Sequence, residues 1–142
     1  MDTKELQEIL ENNKLWLNGK GGERANLKNT ILQNADLQGA NLQYVDLQGA
    51  NLQNADLSHA NLSHANLQDA DFQGANLQDA DFQEANLHDA NLQDADLSHA
   101  NLQGADLQYA DFQEANLRGA NLQGANLKGV DLFLANLQDT NF

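Results

Sequence analysis

The chain has 142 residues, with no cysteine and no proline, and its 21 acidic residues against seven lysines and arginines give a formal net charge of −14. The lack of cysteine excludes disulfides and thiolate metal sites, and the excess of acids argues against direct binding to nucleic acid or anionic membranes, since both need cationic residues. The length is that of one domain.

The N-terminal segment, residues 1–24, differs in kind from the rest. Leu6, Ile9 and Leu10 fall on one helical face, which predicts a short amphipathic helix over about residues 3–13. We expect this segment to cap the coil that follows it, with Trp16 in the core of the cap. The alternative, a partner-binding helix, is weaker because its few apolar residues are already needed by the cap. The charged start has no apolar run suited to a signal peptide or membrane span, so we expect a cytoplasmic protein.

From residue 25 to the end, one five-residue pattern repeats without a gap. Its 24 units have Leu or Phe at the centre, at every fifth residue from Leu27 to Phe142. Two residues before the centre stands Ala, Val or Thr, and between them stands Asn or Asp, except at Ile31. The two loop positions after the centre are nearly always polar or Gly. Such a fixed period predicts a repeat architecture.

The spacing of the apolar positions selects strand over helix. Residues two apart share one side of an extended segment, whereas a period of five drifts by about 140° per unit around a helix and makes no apolar face. Asn, Asp and Gly tolerate the turn that must follow each short strand. The pattern therefore predicts a domain over residues 25–142 that winds into a β-solenoid with a thin, continuous interior.

The repeat resembles that of pentapeptide repeat proteins of the cyanobacterial and bacterial type, from Ala25 to Phe142, and the lead-in extends the resemblance back to Trp16. The resemblance implies an all-β fold, a right-handed quadrilateral parallel β-helix, with the centre and the Ala position pointing inward. Periodicity alone leaves coils of four units or of three units open, since the spacings of the Phe centres suit both. With the four sides that the resemblance implies, the units make about six coils, preceded by the capping helix.

In a four-sided coil, equivalent side chains four units apart stack in columns about 4.8 Å apart. Two columns place histidines beside carboxylates: His59, Asp79 and His99 in one, and His64 and Glu84 in the other. A metal or acid–base site is one interpretation. However, His59 and His99 would lie about 9.6 Å apart, too far for one zinc ion. We expect charge-complementary surface ladders, and neither a metal site nor a cofactor site.

No catalytic arrangement stands out in the sequence. There is no nucleophile elbow, no phosphate-binding loop before a helix and no Cys nucleophile. The three Ser-His dipeptides recur with the template and are typical of unit duplication. We therefore expect no enzyme.

The last coil departs from the template. Phe133 and Leu134 occupy loop positions that are otherwise polar or Gly apart from two tyrosines, and the centres Leu137 and Phe142 follow. Two interpretations stay open. Phe133 and Leu134 fold over and shield the rim of the coil, or the rim is buried in an end-to-end homodimer.

The charge distribution gives two functional hypotheses. The repeats carry 16 acids against Lys28, Arg118 and Lys128. We expect a structural or protein-binding module whose partner is unknown. The alternative is an acidic imitation of DNA that binds a topoisomerase such as gyrase or another DNA-binding protein, as some members of the resembled family do. The alternation of Asn and Asp within the template weakens this alternative, because the acidity then follows from the fold.

Overall fold

The computed structural model describes all 142 residues as one helix followed by an uninterrupted series of turns and β-bridges. Helix α1 spans Thr3–Leu17 and so continues four residues beyond the expected end. Its N-terminus is capped by Asp2, whose side chain accepts a hydrogen bond from the Glu5 N–H at 2.8 Å. The helix ends at Leu17, with Asn18 as its C-cap, because Gly19 adopts a left-handed conformation, as at many helix C-termini. The chain contains no helix long and apolar enough to cross a membrane.

The repeats form a parallel ladder in which each coil pairs with the next. The residue before the centre of each unit bridges to its counterpart four units on, from Asn26 with Asp46 to Asn121 with Asn141. Four successive units complete one coil, so each coil has four sides of one unit each. Sides 1, 2, 3 and 4 are named here by their first centres, at positions 27, 32, 37 and 42, and each includes every fourth unit after them.

Three backbone hydrogen bonds per side join neighbouring coils. On side 1 the Leu27 N–H donates to Asp46 at 2.7 Å, the Asn29 N–H donates to Gln48 at 2.8 Å, and the Asp46 N–H donates back to Ala25 at 3.1 Å. The same set recurs around the shaft. The ladder therefore satisfies the backbone groups of short segments that would be unstable alone.

Each unit turns through the same corner. The carbonyl of the centre accepts from the N–H three residues on, as from Ala35 to Leu32 at 3.0 Å, and the second loop residue has φ between 56° and 70° at all 23 such positions. These are the features of a type II turn. The side chain before the centre accepts from the first loop N–H, as Asp36 does from Gln38 at 3.2 Å. Asn and Asp recur there because both offer that acceptor.

The interior is a continuous stack of the Leu, Phe and Ala side chains. The centres from Leu27 to Leu122 are each at most 4% exposed. Phe72 and Phe82 meet edge to face across the core, with ring centroids 6.3 Å apart. Burial declines in the last coil, and Phe142 is 59% exposed.

A buried polar residue joins α1 to the first coil. Asn13 is fully buried, accepts from the Ala25 N–H at 2.9 Å and donates to the Gln43 carbonyl at 3.2 Å. A Cβ at Gly22 would meet the α1 backbone, so the returning chain passes directly against the helix. Asn13 therefore supplies two hydrogen bonds at the end of the solenoid, where no further coil can supply them.

The apolar residues of α1 differ in burial. Leu6 is buried, and Ile9 and Leu10 are partly buried against the core. The expectation that Trp16 lies in the core of the cap is wrong, since its side chain is 39% exposed. The reason is that α1 continues to Leu17 and places the indole outside the coil.

Candidate functional site

The side chains at the second loop position lean toward the following coil. The Glu84 carboxylate lies where a Cβ at Gly104 would be, and the His99 ring lies likewise against Gly119. Tyr109 covers Gly129 in the same way. Glycine thus leaves room for the larger side chain of the coil before it. The outer corners of the shaft are therefore columns of contacting side chains.

The column of His59, Asp79 and His99 forms one ion-pair contact. His59 Nδ1 lies 3.8 Å from Asp79 Oδ2, and the two side chains are 62% and 38% exposed. His99 instead leans toward Gly119, away from Asp79. The structure therefore places the three residues in one column but does not direct both imidazoles at one point. No group of three or more metal-binding side chains lies together anywhere in the chain.

The second histidine column contains an aromatic ladder. The rings of Tyr44 and His64 stack at 4.8 Å with an interplanar angle of 5°, and Trp16 meets Tyr44 edge-on at 6.2 Å. The Arg24 Nε donates to the Tyr44 carbonyl at 2.6 Å. Glu84 follows in the same column without an ion pair to His64. The ladder thus links the end of α1 to the first and second coils.

His88 has neighbours that sequence reasoning missed. Its Nδ1 lies 2.7 Å from Asp89 Oδ2, although Nδ1 has no partner in hydrogen-bond geometry. The ring meets Tyr109 edge-on at 5.5 Å, and Lys128 Nζ lies 5.6 Å from the centre of the Tyr109 ring. These contacts join different columns on side 1. The available signal was Asp89, the next residue in sequence, and Tyr109, one coil beyond it.

The bridge residues add a ladder of side-chain hydrogen bonds. An Asn at a bridge position can donate its side-chain amide to the Asp or Asn at the same position one coil before. Asn91 donates to Asp71 at 3.1 Å, and Asn86 donates to Asn66 at 3.3 Å. A carboxylate cannot donate. An Asp that follows another Asp therefore forgoes this bond and adds a like charge about 4.8 Å away.

One carboxyl group has a perturbed acidity. Hydrogen bonds from the Ser58 backbone N–H and from the Ser58 side chain lower the pKa of Asp56 below its usual value, with a smaller contribution from the nearby His59. Ser58 itself is buried. The hydrogen bonds between Asp56 and the turn therefore also stabilise the charged form of this carboxylate.

The acids are unequally distributed around the shaft. Of the 16 in the repeats, sides 1, 2, 3 and 4 carry four, five, five and two. The bases and histidines of the repeats are Lys28, His88 and Lys128 on side 1, His59, His99 and Arg118 on side 3, and His64 on side 4. Side 2 has none. It is therefore the one side without a Lys, Arg or His residue.

The C-terminal coil exposes apolar side chains. Phe133 and Leu134 are 64% and 68% exposed, and Leu137 and Phe142 are also accessible. The interpretation in which Phe133 and Leu134 shield the rim is wrong. They stand at loop positions, and those positions point away from the core.

All four grooves lie beside α1 and the first coils. The largest, of about 630 Å³, is lined by α1 and Asn41. A smaller crevice of about 250 Å³ lies between the start of α1 and side 2, and Met1, Leu6 and Ile31 are among its lining residues. The rest of the shaft has no concave site.

A continuous parallel ladder, a Leu and Ala interior and an outer surface of stacked loop residues define a repeat solenoid. Eight copies of the pentapeptide repeat match the chain, over residues 23–58, 55–94, 95–132 and 110–142. The chain belongs to the pentapeptide repeat family. Its relatives imply a right-handed quadrilateral β-helix.

Solved structures from cyanobacteria resemble the chain. HetL of Nostoc sp. strain PCC 7120, a protein involved in heterocyst differentiation regulation, is 37% identical over 83% of this chain and 62% of HetL, with a TM-score of 0.58. Rfr23 of Cyanothece 51142 is 35% identical over 78% of this chain and 65% of Rfr23, with a TM-score of 0.53. The chain thus spans less than two thirds of either relative. No curated protein matches it in sequence.

Proposed function

We propose that the chain is a non-enzymatic, protein-binding solenoid of about six coils that acts in the cytoplasm. The observation that carries the proposal is the choice of side chains at the left-handed loop position. Five of the 23 such residues are Tyr, Glu or Leu, for which this conformation is less favourable than for Gly, Asn or Asp. The turn conformation does not favour these side chains, and although Tyr44 and Tyr109 also make contacts within the chain, Tyr44, Tyr109 and Leu134 are 40%, 47% and 68% exposed and can contact a partner.

The relatives are consistent with this proposal. HetL is described as taking part in regulation, a role that protein contacts can fulfil without catalysis. The shaft also offers no pocket for a small substrate, because its grooves lie beside α1. Contacts along the sides remain as the means of recognition.

The test is chemical cross-linking in extracts of the source cells, with the purified chain as bait. The control is a variant with all five of those residues changed to Asn, which keeps the core and every turn. We expect the wild-type chain to capture a protein in stoichiometric amount and the control to capture much less. Equal capture by both would contradict recognition through these side chains, and no capture by the wild type would contradict the function.

An acidic imitation of DNA is the second candidate. It is favoured by the lack of any Lys or Arg between Lys28 and Arg118. Gyrase supercoiling tests it, since binding through long-range charge must weaken as salt is raised. Inhibition at stoichiometric protein that fades with salt would support it. No inhibition at a large excess would contradict it.

The C-terminal coil also suits an end-to-end homodimer. Phe133, Leu134, Leu137 and Phe142 together form an exposed apolar surface of the kind that association buries. Sedimentation of the wild type and of a variant with Phe133→Gln and Leu134→Gly tests this contact. We expect a dimer only for the wild type, with unchanged circular dichroism in the variant. A dimer that survives both changes would contradict this interface.

A further inference from the structure

Side 2 has the strongest uncompensated charge of the shaft. Its carboxylates belong to Asp71, Asp94, Asp111, Glu114 and Asp131. Amides, not cations, contact those at the bridge positions. The Gln53 side chain donates to Asp71 at 2.6 Å, and the Gln113 side chain donates to Asp131 at 2.9 Å. The side thus keeps its full negative charge.

Two pairs of these acids are costly to the fold. Asp131 follows Asp111 in the bridge column, and Glu114 follows Asp94 in the loop column, each one coil apart. Like charges at this separation repel one another. Asn at position 131 would accept from the Phe133 N–H as Asp131 does, and could also donate to Asp111. The stability of the solenoid therefore does not account for the carboxylates.

Apolar side chains mark both ends of the same side. At the N-terminal end Ile31, the one apolar residue at a bridge position, is 69% exposed beside the 250 Å³ crevice. At the C-terminal end lie the exposed Phe133 and Leu134, and Leu134 is the one aliphatic residue in the left-handed loop position, with φ of 59°. These departures from the template lie on side 2, where the charge is also uncompensated.

We propose that side 2 docks a basic α-helix of a partner protein, with apolar side chains at both ends of that helix. The proposal rests on the proposed protein-binding function. From Ile31 to Phe133 the side spans five coil spacings, about 24 Å, which is the length of about 16 helical residues. The acids lie in two columns with glutamines between them, so Lys and Arg on both flanks of one helix can reach them. A second copy of this chain does not fit, because every side of it is acidic.

The test uses two labelled synthetic helical peptides of about 16 residues. Both contain only Lys, Ala and Leu in the same numbers. One has Leu at both ends, and the other has the same Leu residues in the middle. Fluorescence anisotropy at about 0.15 M salt, where general charge attraction is largely screened, gives the affinity of each. We expect the wild-type chain to bind the first peptide about tenfold more tightly.

Matched variants separate the effect of the side 2 carboxylates on binding from the effect of net charge. Asp111→Asn with Asp131→Asn removes two neighbouring bridge carboxylates from side 2, and Asp36→Asn with Asp56→Asn removes two from side 3. We expect the first pair to weaken binding about tenfold and the second less than twofold. Phe133→Gln with Leu134→Asn should abolish the preference between the peptides. Each substitution introduces a residue type that the template already uses, so the fold should persist.

Three results would overturn the proposal. These are equal weakening by the two charge pairs, equal affinity for the two peptides, and no binding by the wild type. A natural partner that still cross-links to both side 2 variants would overturn the docking surface alone and leave the proposed function standing. Failure of the wild type to capture any partner would instead contradict the function on which the proposal rests.

Discussion

At the scale of single residues, the junction between helix and solenoid depends on Asn13. We expect Asn13→Ala to lower the free energy of unfolding by about 2 to 4 kcal/mol, because each buried group left without a partner costs about 1 to 3 kcal/mol. The groups concerned are the Ala25 N–H and the Gln43 carbonyl. Urea unfolding measures the change. The exposed Asn12→Ala is the control, and an equal effect of both substitutions would contradict the role of Asn13.

Asp56 gives a prediction about acidity. Ser58→Ala should raise the pKa of Asp56 toward its ordinary value, but only in part, because the larger contribution, from the Ser58 backbone N–H, remains. A carboxyl ¹³C titration by NMR measures this pKa, and an unchanged value would show that the hydroxyl contributes nothing. The pKa of Asp56 is lower in the folded chain than the ordinary value of about 3.9. The stabilisation that its hydrogen bonds give is therefore complete above pH values of about 3.9 and is lost as the pH falls through the folded pKa.

At the scale of the element, each coil depends on its centre residues. Phe82 is fully buried and meets Phe72 across the core. We expect Phe82→Ala to destabilise the chain by about 3 to 5 kcal/mol through loss of burial and formation of a cavity. Thermal or urea unfolding measures the loss. Phe82→Leu restores the common centre residue and should cost much less, while the exposed Phe133→Ala should change stability by at most about 0.5 kcal/mol. A mild effect of Phe82→Ala would mean that neighbouring side chains move into the space.

The five-residue unit was predictable because one period places the same residue types in the same backbone positions each time. Leu at the centre and Asn or Asp before it identify the inward side and the turn acceptor without any tertiary information. The number of sides was not predictable in this way, since it depends on which coils pair. The resemblance implied four, and the bridge from Asn26 to Asp46 shows that units pair four apart.

Contacts outside the period were less predictable. Asn13 reads as an exposed helical residue, because nothing local shows that its amide faces two unpaired backbone groups. Trp16 was expected to be buried because it is large and apolar, but the longer α1 places it against the Tyr44 edge. The columns of His59 and His64 were predictable only with the four sides that the resemblance implied. The lean of each side chain toward the following coil was not.

At the scale of the whole molecule, the N-terminal segment and the repeats differ in net charge, and the two ends of the solenoid differ in how well their apolar side chains are covered. The N-terminal segment carries five acids and four bases, whereas the repeats carry 16 acids and three bases. The N-terminal end is closed by α1, while the C-terminal coil shows its apolar side chains. If the sides bind a partner as proposed, replacing the side 2 carboxylates by Asn should weaken binding without lowering the free energy of unfolding.

The two ends of the solenoid should contribute unequally to stability. Deletion of residues 1–24 removes α1 and Asn13 and uncovers Leu27 and Leu32, whereas deletion of residues 123–142 only transfers the open end to the preceding coil, which has the same interior. In a solenoid the loss of one repeat subtracts one interface, but the loss of a cap exposes the core that it covered.

We therefore expect the first deletion to lower the melting temperature more than the second, with circular dichroism as the measurement and sedimentation as a check for aggregation. Equal melting temperatures for both truncated chains, or unchanged melting without residues 1–24, would contradict the capping role of α1. Asn13→Ala connects the two scales. If α1 stabilises the first coil mainly through Asn13, the substitution should reproduce much of the effect of the N-terminal deletion. If the burial of the first coil under Leu6, Ile9 and Leu10 dominates, Asn13→Ala should reproduce little of the effect of the N-terminal deletion.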